Sequence, residues 1–435
     1  MPSDVTTHSA DFVPRSGLVT VALVGAEFGW GSSGKLSAVL SALRERSAPR
    51  LRFVGLASGL GRPLLAEHTV DDWYDLPDDP GLLAPAVREL VRSQGVQAAV
   101  VVLDGAAATA LLAAGVPTVF VDSLPFLWSE GDRAALPLDA TVYCAQRSVE
   151  LPPECLDVLA DAQGLRWVEA VIARPRASGS SGPKSSGSGS SGSGSSGSER
   201  GVGRSARRPY RRALVSLGGL QAPRLGDPSH YPRLVVPAAL EALSAYGVEE
   251  VHIAGNLPGD LAGRLIDASI APPRTTTGPL GHRAFLEQLA DCDVLLTSPG
   301  LTTLLEAGGL AVPTVCLPPQ NLSQIFNGRF HSQALGARLR VPWPKAVFAE
   351  DEALALRAEG EDRALELIYG AIGAAAQGLD RQAVGHALRN DVLEALRRST
   401  RVDDWGALTT AVGTDGAAQV ADALLEVLGP TDPLS

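Results

Sequence analysis

Residues 291–327, DCDVLLTSPGLTTLLEAGGLAVPTVCLPPQNLSQIFN, place glycine, hydroxyl, carboxylate and amide side chains close together. An apolar run at 294–297 has the length of a buried strand and leads into Gly300, where a helical pattern begins. Glycine lets a ligand approach the backbone closely, and a helix N-terminus offers unpaired N–H groups to an anion. Glu306 lies about one and a half turns into the helix, where its carboxylate can accept hydrogen bonds from a vicinal diol. The segment therefore predicts a site for an anion that carries a diol.

Further glycines and polar residues stand beside other predicted elements of the second half. They follow strands predicted at 213–217, 250–254 and 313–317 or lie at the start of a predicted helix. These residues are Gly218, Gly219, Asn256, Gln320, Asn321 and Gln324. In open α/β sheets ligands bind at the carboxyl ends of the strands. A glycine pair after a strand is by itself usually only a turn, so the predicted site depends on these residues occurring together.

A second glycine-rich loop, GAEFGWGSSGK at 25–35, lies between a predicted strand at 19–24 and a predicted helix at 36–43. Its last seven residues match the P-loop pattern GxxxxGK. A P-loop needs Ser or Thr next for Mg²⁺, and Leu36 stands there, so we do not favour an ATP site. Lys35 lies near a bound diphosphate or is solvated in the first helical turn. The candidate residues of this loop are Gly29, Trp30, Gly31, Ser33, Gly34 and Lys35.

Three acidic residues of the first half, Glu27, Asp104 and Asp122, come just after predicted strands. A carboxylate at that position can reach a ligand bound at the carboxyl ends of the strands and remove a proton from it. All three are therefore candidates for a catalytic base. The alternative for Asp104 and Asp122 is that each caps the helix that follows.

The elements that position these residues follow one plan in both halves. In the first half, apolar runs at 19–24, 51–56, 98–103 and 118–121 alternate with helical patterns, and the second half repeats the alternation. Nearly continuous apolar strands with intervening helices are typical of parallel sheets covered on both faces. We therefore predict an α/β protein of two Rossmann-like domains whose sheets face a central cleft.

A serine- and glycine-rich stretch separates the two halves. Residues 178–198 are nearly all Ser and Gly and continue into an arginine-rich piece, a composition that cannot bury enough apolar surface to order itself. We predict one domain at 17–173, a flexible linker at 174–211 and a second domain at 212–400. Helices at 401–435 are expected to pack back on the first domain.

Composition limits the classes of function. The formal net charge of −11 argues against nonspecific binding to nucleic acid or to an anionic membrane. No apolar run reaches the length of a membrane span, and no secretory signal is visible, so we expect a cytoplasmic protein without a membrane anchor. The four cysteines lack metal-ligand spacing and are interpreted as reduced core residues.

Residues 298–321 contain, in order, a glycine-containing turn, Thr, Glu, a strand that begins at a proline, and an amide pair. This order resembles the donor-binding core of GT-B glycosyltransferases, particularly the MurG-like and UDP-glycosyltransferase group, whose pattern is a Gly-rich turn, Thr, Glu, a Gly-x-Pro strand, and then an acidic or amide residue followed by Gln and Asn. The resemblance implies that the domain at 17–173 binds an acceptor, that the domain at 212–400 binds a nucleotide-sugar, and that the loop at 25–35 faces the acceptor and the donor diphosphate. It also implies that Glu306 binds the ribose hydroxyls and that backbone near Leu280, just before a predicted helix, contacts the base. It assigns the diphosphate to Ser298, Gly300, Thr302 and Thr303, and the sugar to Gln320 and Asn321, with Gln324 more loosely. Pro299-Gly300 stands where the family has Gly-Gly, which affects the expected phosphate geometry.

The run 27–35, with SPGLTT at 298–303 and LPPQN at 317–321, also resembles cytosylglucuronate synthase-type enzymes of nucleoside antibiotic pathways. That resemblance implies transfer of glucuronate from UDP-glucuronate to N1 of cytosine or hydroxymethylcytosine. A donor carboxylate needs a cation, for which Arg224, Arg283 and Arg329 are candidates. Three aromatic residues are candidates for stacking on a flat acceptor, although core packing is the alternative use: Trp30, Phe126 and Trp128.

The expected function is a metal-independent glycosyltransferase whose partners are a UDP-sugar donor and a small-molecule acceptor, with no cofactor beyond the UDP-sugar co-substrate. No Asp-x-Asp motif stands at the carboxyl end of a strand, which is the basis for expecting no essential metal. Two alternatives remain open. One is a nucleotide-sugar hydrolase or epimerase of the same fold, and the other is a non-catalytic sugar-nucleotide-binding partner of another protein.

Overall fold

The computed structural model describes residues 18–46, 51–56, 60–77, 79–173, 210–222 and 225–429. The linker predicted at 174–211 falls almost entirely outside the described residues. Arg224 also lies outside them. All structural statements below refer to the described ranges.

The first sheet has seven parallel strands in the order β3-β2-β1-β4-β5-β6-β7. Its central strands β1, β4 and β5 are rich in Val and Ala and buried along most of their length, as a sheet covered on both faces requires. The strands are β1 (Val19–Gly25), β2 (Leu51–Leu56), β3 (Asp72–Tyr74), β4 (Val96–Val102), β5 (Thr118–Asp122), β6 (Val142–Gln146) and β7 (Leu165–Val168).

Helices connect these strands and cover both faces of the sheet. Two of them, α1 and α3, are four turns long, and α3 ends at Gly95, whose left-handed backbone (φ 63°) terminates the helix. The helices are α1 (Gly31–Glu45), α2 (Arg62–Leu65), α3 (Pro80–Gln94), α4 (Gly105–Ala113) and α5 (Pro153–Leu159), with a 3₁₀ helix at Glu130–Ala135.

The second sheet has five parallel strands in the order β10-β9-β8-β11-β12. The strands are β8 (Arg212–Gly218), β9 (Glu250–Gly255), β10 (Arg274–Gly278), β11 (Val294–Thr297) and β12 (Thr314–Cys316). The helices that alternate with them are α6 (His230–Tyr246), α7 (Gly259–Asp267), α8 (His282–Asp291), α9 (Leu301–Gly309) and α10 (Leu322–Ala334). The two all-parallel sheets with alternating helices confirm the predicted α/β architecture of two Rossmann-like domains.

The chain after α10 is helical, with a short 3₁₀ helix at Leu356–Glu359. Its helices are α11 (Glu350–Ala355), α12 (Glu361–Gln377), α13 (Arg381–Ser399), α14 (Ala407–Val412) and α15 (Gly416–Leu428). Helix α13 packs on α6 of the second domain, whereas α15 lies against α1 and against strands β4 to β7 of the first sheet. The apolar side chains Val420, Ala421 and Leu424 of α15 are buried in the core of the first domain.

No helix among the described residues is long and apolar enough to cross a bilayer. The cysteines are all unpaired thiols; Cys144, Cys155 and Cys316 are buried, and Cys292 is half-buried.

The first residue of α15 has no space for a side chain. A Cβ atom at Gly416 would lie 2.1 Å from the backbone oxygen of Glu169 and 2.7 Å from the carbonyl carbon of Ala170. Since backbone atoms cannot move aside as a flexible side chain can, we expect Gly416→Ala to destabilise the protein by about 1–3 kcal/mol. The measurement is the thermal unfolding midpoint, which is expected to fall.

The matched control is Gly263→Ala in α7, where nothing lies within 4 Å of the added Cβ. Alanine in an open helical position stabilises by about 0.5–1 kcal/mol relative to glycine, so this variant should unfold at the same temperature or higher. Equal midpoints for the two variants would contradict the docking of α15 described above.

Candidate functional site

A cleft with a cavity of about 170 Å³ is lined by residues that follow strands of both sheets. In the first domain the lining includes the loop after β1, Leu103 after β4 and Ser123 after β5; in the second it includes the loops after β8 and β11. Most residues predicted for ligand binding line this cleft: Gly29, Trp30, Gly31, Gly34, Lys35, Gly218, Gly219, Leu280, Ser298, Gly300, Thr302, Thr303, Glu306, Gln320, Asn321 and Gln324. The structure therefore brings both predicted glycine-rich loops to one place.

The two loops touch each other across the cleft. The N–H of Gly29 donates to the carbonyl oxygen of Gln221 at 3.0 Å, and a Cβ atom at Gly219 would lie 2.8 Å from the backbone of Gly29. Gly29 and Gly218 also have left-handed backbones, with φ of 65° and 67°. Glycine is required at these positions because the loops approach too closely, or turn too sharply, for a side chain.

Lys35 is the fifth residue of α1 and is 3% exposed. Its Nζ donates to Oγ1 of Thr302 in the first turn of α9, so the amine lies where the N-termini of the two helices meet. Burial lowers the pKa of Lys35 to about 8, against the opposing charge of Glu306. Lys35 is the one Lys or Arg side chain among the described residues that line the cleft.

Glu306 lies in α9 and is 3% exposed. Its Oε1 is 2.8 Å from Nε2 of His282, the first residue of α8. Because a carboxylate oxygen only accepts, Nε2 carries the proton and donates. Burial opposes the charged form of His282, but the charge and hydrogen bond of Glu306, together with the charge of Glu67, raise its pKa. The buried carboxylate thus has a hydrogen-bonded partner through one of its oxygens.

The other nitrogen of His282 reaches the first domain. Nδ1 lies 2.9 Å from Oγ of Ser37 in α1, and the same Oγ lies 2.8 Å from Nε2 of His68. Burial and the charge of Arg44 lower the pKa of His68 to about 4. The series Glu306–His282–Ser37–His68 is therefore a buried hydrogen-bonded chain that crosses from one domain to the other.

The predicted amides make hydrogen bonds that hold the backbone near the cleft. Asn321 caps α10 by accepting from the N–H of Gln324 at 3.0 Å, and Oε1 of Gln324 accepts from the N–H of Gln320 at 2.8 Å. Nε2 of Gln320 donates to the carbonyl oxygen of Leu217 at 3.3 Å. Asn256 does not line the cleft; its Oδ1 accepts from the N–H of Leu220 at 2.7 Å and so shapes the loop after β8.

The structure does not bring the three predicted bases into the cleft lining. Asp104 caps α4 by accepting from the N–H of Ala107 at 2.9 Å. Asp122 is fully buried and accepts from Trp128 Nε1 at 2.7 Å, from the N–H of Leu124 at 2.9 Å and from Tyr143 OH at 3.0 Å. Burial raises the pKa of Asp122 to about 6, against these hydrogen bonds. Its oxygens are thus turned into its own domain.

Glu27 is exposed and lies next to Phe28, which lines the cleft. Ser33 is buried but lies outside the lining, with its hydroxyl against Gly61. A Cβ at Gly61 would lie 2.4 Å from Oγ of Ser33, so a side chain there would require this hydroxyl to rotate away.

The residues predicted to meet a sugar carboxylate or a flat acceptor are mostly engaged elsewhere. Arg283 pairs with Glu287 at 3.6 Å and Arg329 with Asp351 at 2.7 Å, and neither lines the cleft. Phe126 packs edge-on against Phe330 in the core, and Trp128 donates to Asp122. Trp30 does line the cleft, and its buried Nε1 has no hydrogen-bond partner among the described residues.

Sequence reasoning missed several lining residues. His282 follows the predicted Leu280 by two positions, and a polar residue at the start of a helix beside a candidate loop was the signal available for it. Tyr369 and Ile372 reach the cleft from α12, for which the sequence offers no signal because this helix is far along the chain. Among the described residues, no group of three or more His, Cys, Asp or Glu side chains is arranged to hold a metal ion.

No protein-family model and no curated protein matches the chain in sequence. Solved structures do match along nearly its whole length. A protein assigned as UDP-N-acetylglucosamine 2-epimerase from Listeria monocytogenes is 12% identical, with 96% of this chain and 98% of that chain covered and a TM-score of 0.53.

Two further structures match with a TM-score of 0.50. The glycotransferase of kitacinnamycin is 16% identical, with 95% of this chain and 100% of that chain covered. UDP-glucose:anthocyanidin 3-O-glucosyltransferase, solved with UDP, is 14% identical, with 95% and 99% covered. Together with the two facing parallel sheets, these likenesses show that the chain has the GT-B fold of two Rossmann-like domains.

Proposed function

We propose that this protein is a glycosyltransferase that binds a UDP-sugar in the cleft and transfers the sugar to a small-molecule acceptor. The observation that carries the proposal is the meeting of Glu306 and Lys35 in one cleft, both of them buried, with Lys35 as the fifth residue of α1 and Glu306 about one and a half turns into α9. A carboxylate suited to a ribose diol therefore lies near a cation suited to a diphosphate.

The diphosphate is assigned to Lys35, the N-terminus of α9 and the loops of Gly29 and Gly218. A buried ammonium is costly without an anion, and the N-termini of α1 and α9 add positive potential at the same place. These groups also stabilise the UDP that departs when the glycosidic bond forms. We therefore propose transfer without an essential metal, which activity in excess EDTA would test.

For proton removal from the acceptor we favour Glu27 over Asp104 and Asp122. Glu27 is exposed beside the lining residue Phe28, whereas Asp122 is fully buried and Asp104 caps α4. A base must come within hydrogen-bond reach of the proton that it removes.

UDP-glucuronate as donor and cytosine as acceptor form a finer proposal, which rests on the sequence resemblance. Nothing in the described lining supplies an arginine for the glucuronate carboxylate, so this donor is compared with uncharged UDP-sugars in the test. A second candidate function is epimerisation of a UDP-sugar, favoured by the structural likeness to the Listeria epimerase.

The deciding experiment is a thermal-shift panel of UDP, GDP and dTDP, followed by mass analysis of UDP-glucose, UDP-N-acetylglucosamine and UDP-glucuronate incubated with and without cytosine or other acceptors. We expect selective stabilisation by UDP and release of UDP that depends on an acceptor. Free sugar without an acceptor would indicate a hydrolase, and an isomeric UDP-sugar an epimerase. No stabilisation by any nucleotide would overturn the proposal.

A further inference from the structure

We infer that His282 is a positioning residue that makes recognition of the ribose hydroxyls by Glu306 depend on contact between the two domains. The inference rests on the proposed function, since it concerns the group that holds the ribose. It adds what the donor-binding domain alone does not contain, namely a hydrogen bond from Ser37 of the first domain that holds the imidazole of His282, which in turn orients the diol-binding carboxylate.

The first step concerns the carboxylate itself. Among the described residues the hydrogen bonds of Glu306 engage Oε1, through His282 Nε2 at 2.8 Å, and Oε2 is left for a ligand in the cleft that Glu306 lines. A hydrogen bond at one oxygen fixes the plane of a carboxylate. The direction in which Oε2 presents its lone pairs therefore follows from the position of the imidazole.

The second step concerns the imidazole. Its only other polar atom, Nδ1, is held at 2.9 Å by Ser37 Oγ from α1, and Ser37 is held in turn by His68 at 2.8 Å. Ser37, His68 and His282 are 1%, 7% and 6% exposed, so water does not readily replace a lost partner. Neither Ser37 nor His68 lines the cleft. Both act on a ligand through His282 alone.

The third step concerns the coupling between donor binding and contact of the two domains. When the first domain moves away, Ser37 leaves Nδ1, the ring loses one of its two anchors, and Glu306 loses its fixed orientation. Coupling of this kind is reciprocal: a donor whose ribose needs an oriented Glu306 also favours the arrangement in which Ser37 and His282 are in contact. Donor binding and domain contact thus support each other.

The readout is the ratio of the dissociation constants of 2′-deoxy-UDP and UDP, measured by calorimetry. This ratio isolates recognition of the ribose hydroxyl, whereas a general loss of stability or of diphosphate binding affects both ligands equally. The wild-type ratio is expected to be about ten or more, as for a hydrogen bond to a charged acceptor. Ser37→Ala and His282→Asn are each expected to lower it by about two- to tenfold.

The double variant should have the same ratio as His282→Asn, because Ser37 acts through His282. The controls are Ser41→Ala, an exposed serine one turn further along α1, and His386→Asn, an exposed histidine of α13; both should keep the wild-type ratio. If His282→Asn does not fold, Ser37→Ala, which removes a single oxygen atom, carries the test.

Binding of UDP with an unchanged ratio in Ser37→Ala and His282→Asn would overturn the inference while leaving the proposed function intact. A wild-type ratio near one would also overturn it, because Glu306 would then not hold the 2′-hydroxyl. Failure of the wild-type protein to bind UDP at all would overturn the proposed function, and the inference with it.

Discussion

Replacement of Glu306 by alanine is expected to weaken UDP binding by about ten- to a hundredfold. Each hydrogen bond from a ribose hydroxyl to a carboxylate is worth about 1.5–3 kcal/mol, and about 1.4 kcal/mol corresponds to a factor of ten. The variant also removes the partner of His282. UDP should lose its advantage over 2′-deoxy-UDP, so that the two ligands bind with similar affinity.

Glu306→Gln provides a graded comparison, because an amide oxygen still accepts one hydrogen bond but carries no charge, and its affinity should fall between wild type and Glu306→Ala. The control is Glu287→Ala in α8, whose side chain is 68% exposed and makes only a 3.6 Å contact with Arg283. Unchanged UDP affinity in Glu306→Ala would remove the assignment of Glu306 to the ribose.

The fold is readily predicted from this sequence because its central strands are uninterrupted apolar runs. Strands β1, β2, β5 and β11 lie almost where the runs at 19–24, 51–56, 118–121 and 294–297 place them. Edge strands are harder to predict from the sequence. β10 is the sequence RTTTG, half-buried or exposed along its length, and β3 is three residues long. A strand paired on one side and open to solvent on the other lacks the apolar continuity on which the prediction depends.

Some residues of the cleft can likewise be predicted from local sequence, whereas others are placed there by contacts between distant parts of the chain. Each glycine-rich loop and its following helix form one strand–loop–helix unit, so Lys35 and Glu306 could be proposed from local spacing. The contact of His282 with Ser37 joins residues 245 positions apart, and no local pattern records it. Asp122 illustrates the opposite case, because its position after a strand suggests a cleft residue, whereas Trp128 and Tyr143 turn its carboxylate inward.

Replacement of Lys35 by methionine is expected to weaken UDP binding by at least about tenfold while leaving binding of uridine, which has no diphosphate, nearly unchanged. The physical reason is the loss of a charge-assisted hydrogen bond to the diphosphate in a site with little water. Lys345→Met, at an exposed lysine, is the matched control. Equal losses of affinity for uridine and UDP would show that the variant disturbs the whole cleft rather than the phosphate subsite.

The same residue predicts a pH dependence whose sign follows from burial. Burial lowers the pKa of Lys35 to about 8 in the ligand-free protein, and UDP binds the protonated amine. The affinity for UDP should therefore be nearly constant around pH 7, where the amine is mostly protonated, begin to fall near pH 8, and fall by up to about tenfold per pH unit above it. In Lys35→Met this decline should be absent, and uridine binding to the wild type should not show it.

The stability of the ligand-free protein should change with pH in the opposite direction from the affinity for UDP. The pKa of Lys35 is lower in the folded chain than in the unfolded chain, so below about pH 8 the buried charge destabilises the ligand-free protein, and this cost disappears as the pH approaches the unfolded value of about 10.4. Lys35→Met should consequently raise the unfolding temperature of the ligand-free protein at pH 7. The free energy of unfolding should increase by about 1–3 kcal/mol, after the loss of the hydrogen bond to Thr302 is taken into account. Weaker UDP binding together with higher stability is the combination expected when a buried cation serves to bind an anionic ligand. A less stable Lys35→Met variant would instead indicate that the amine holds α1 and α9 together.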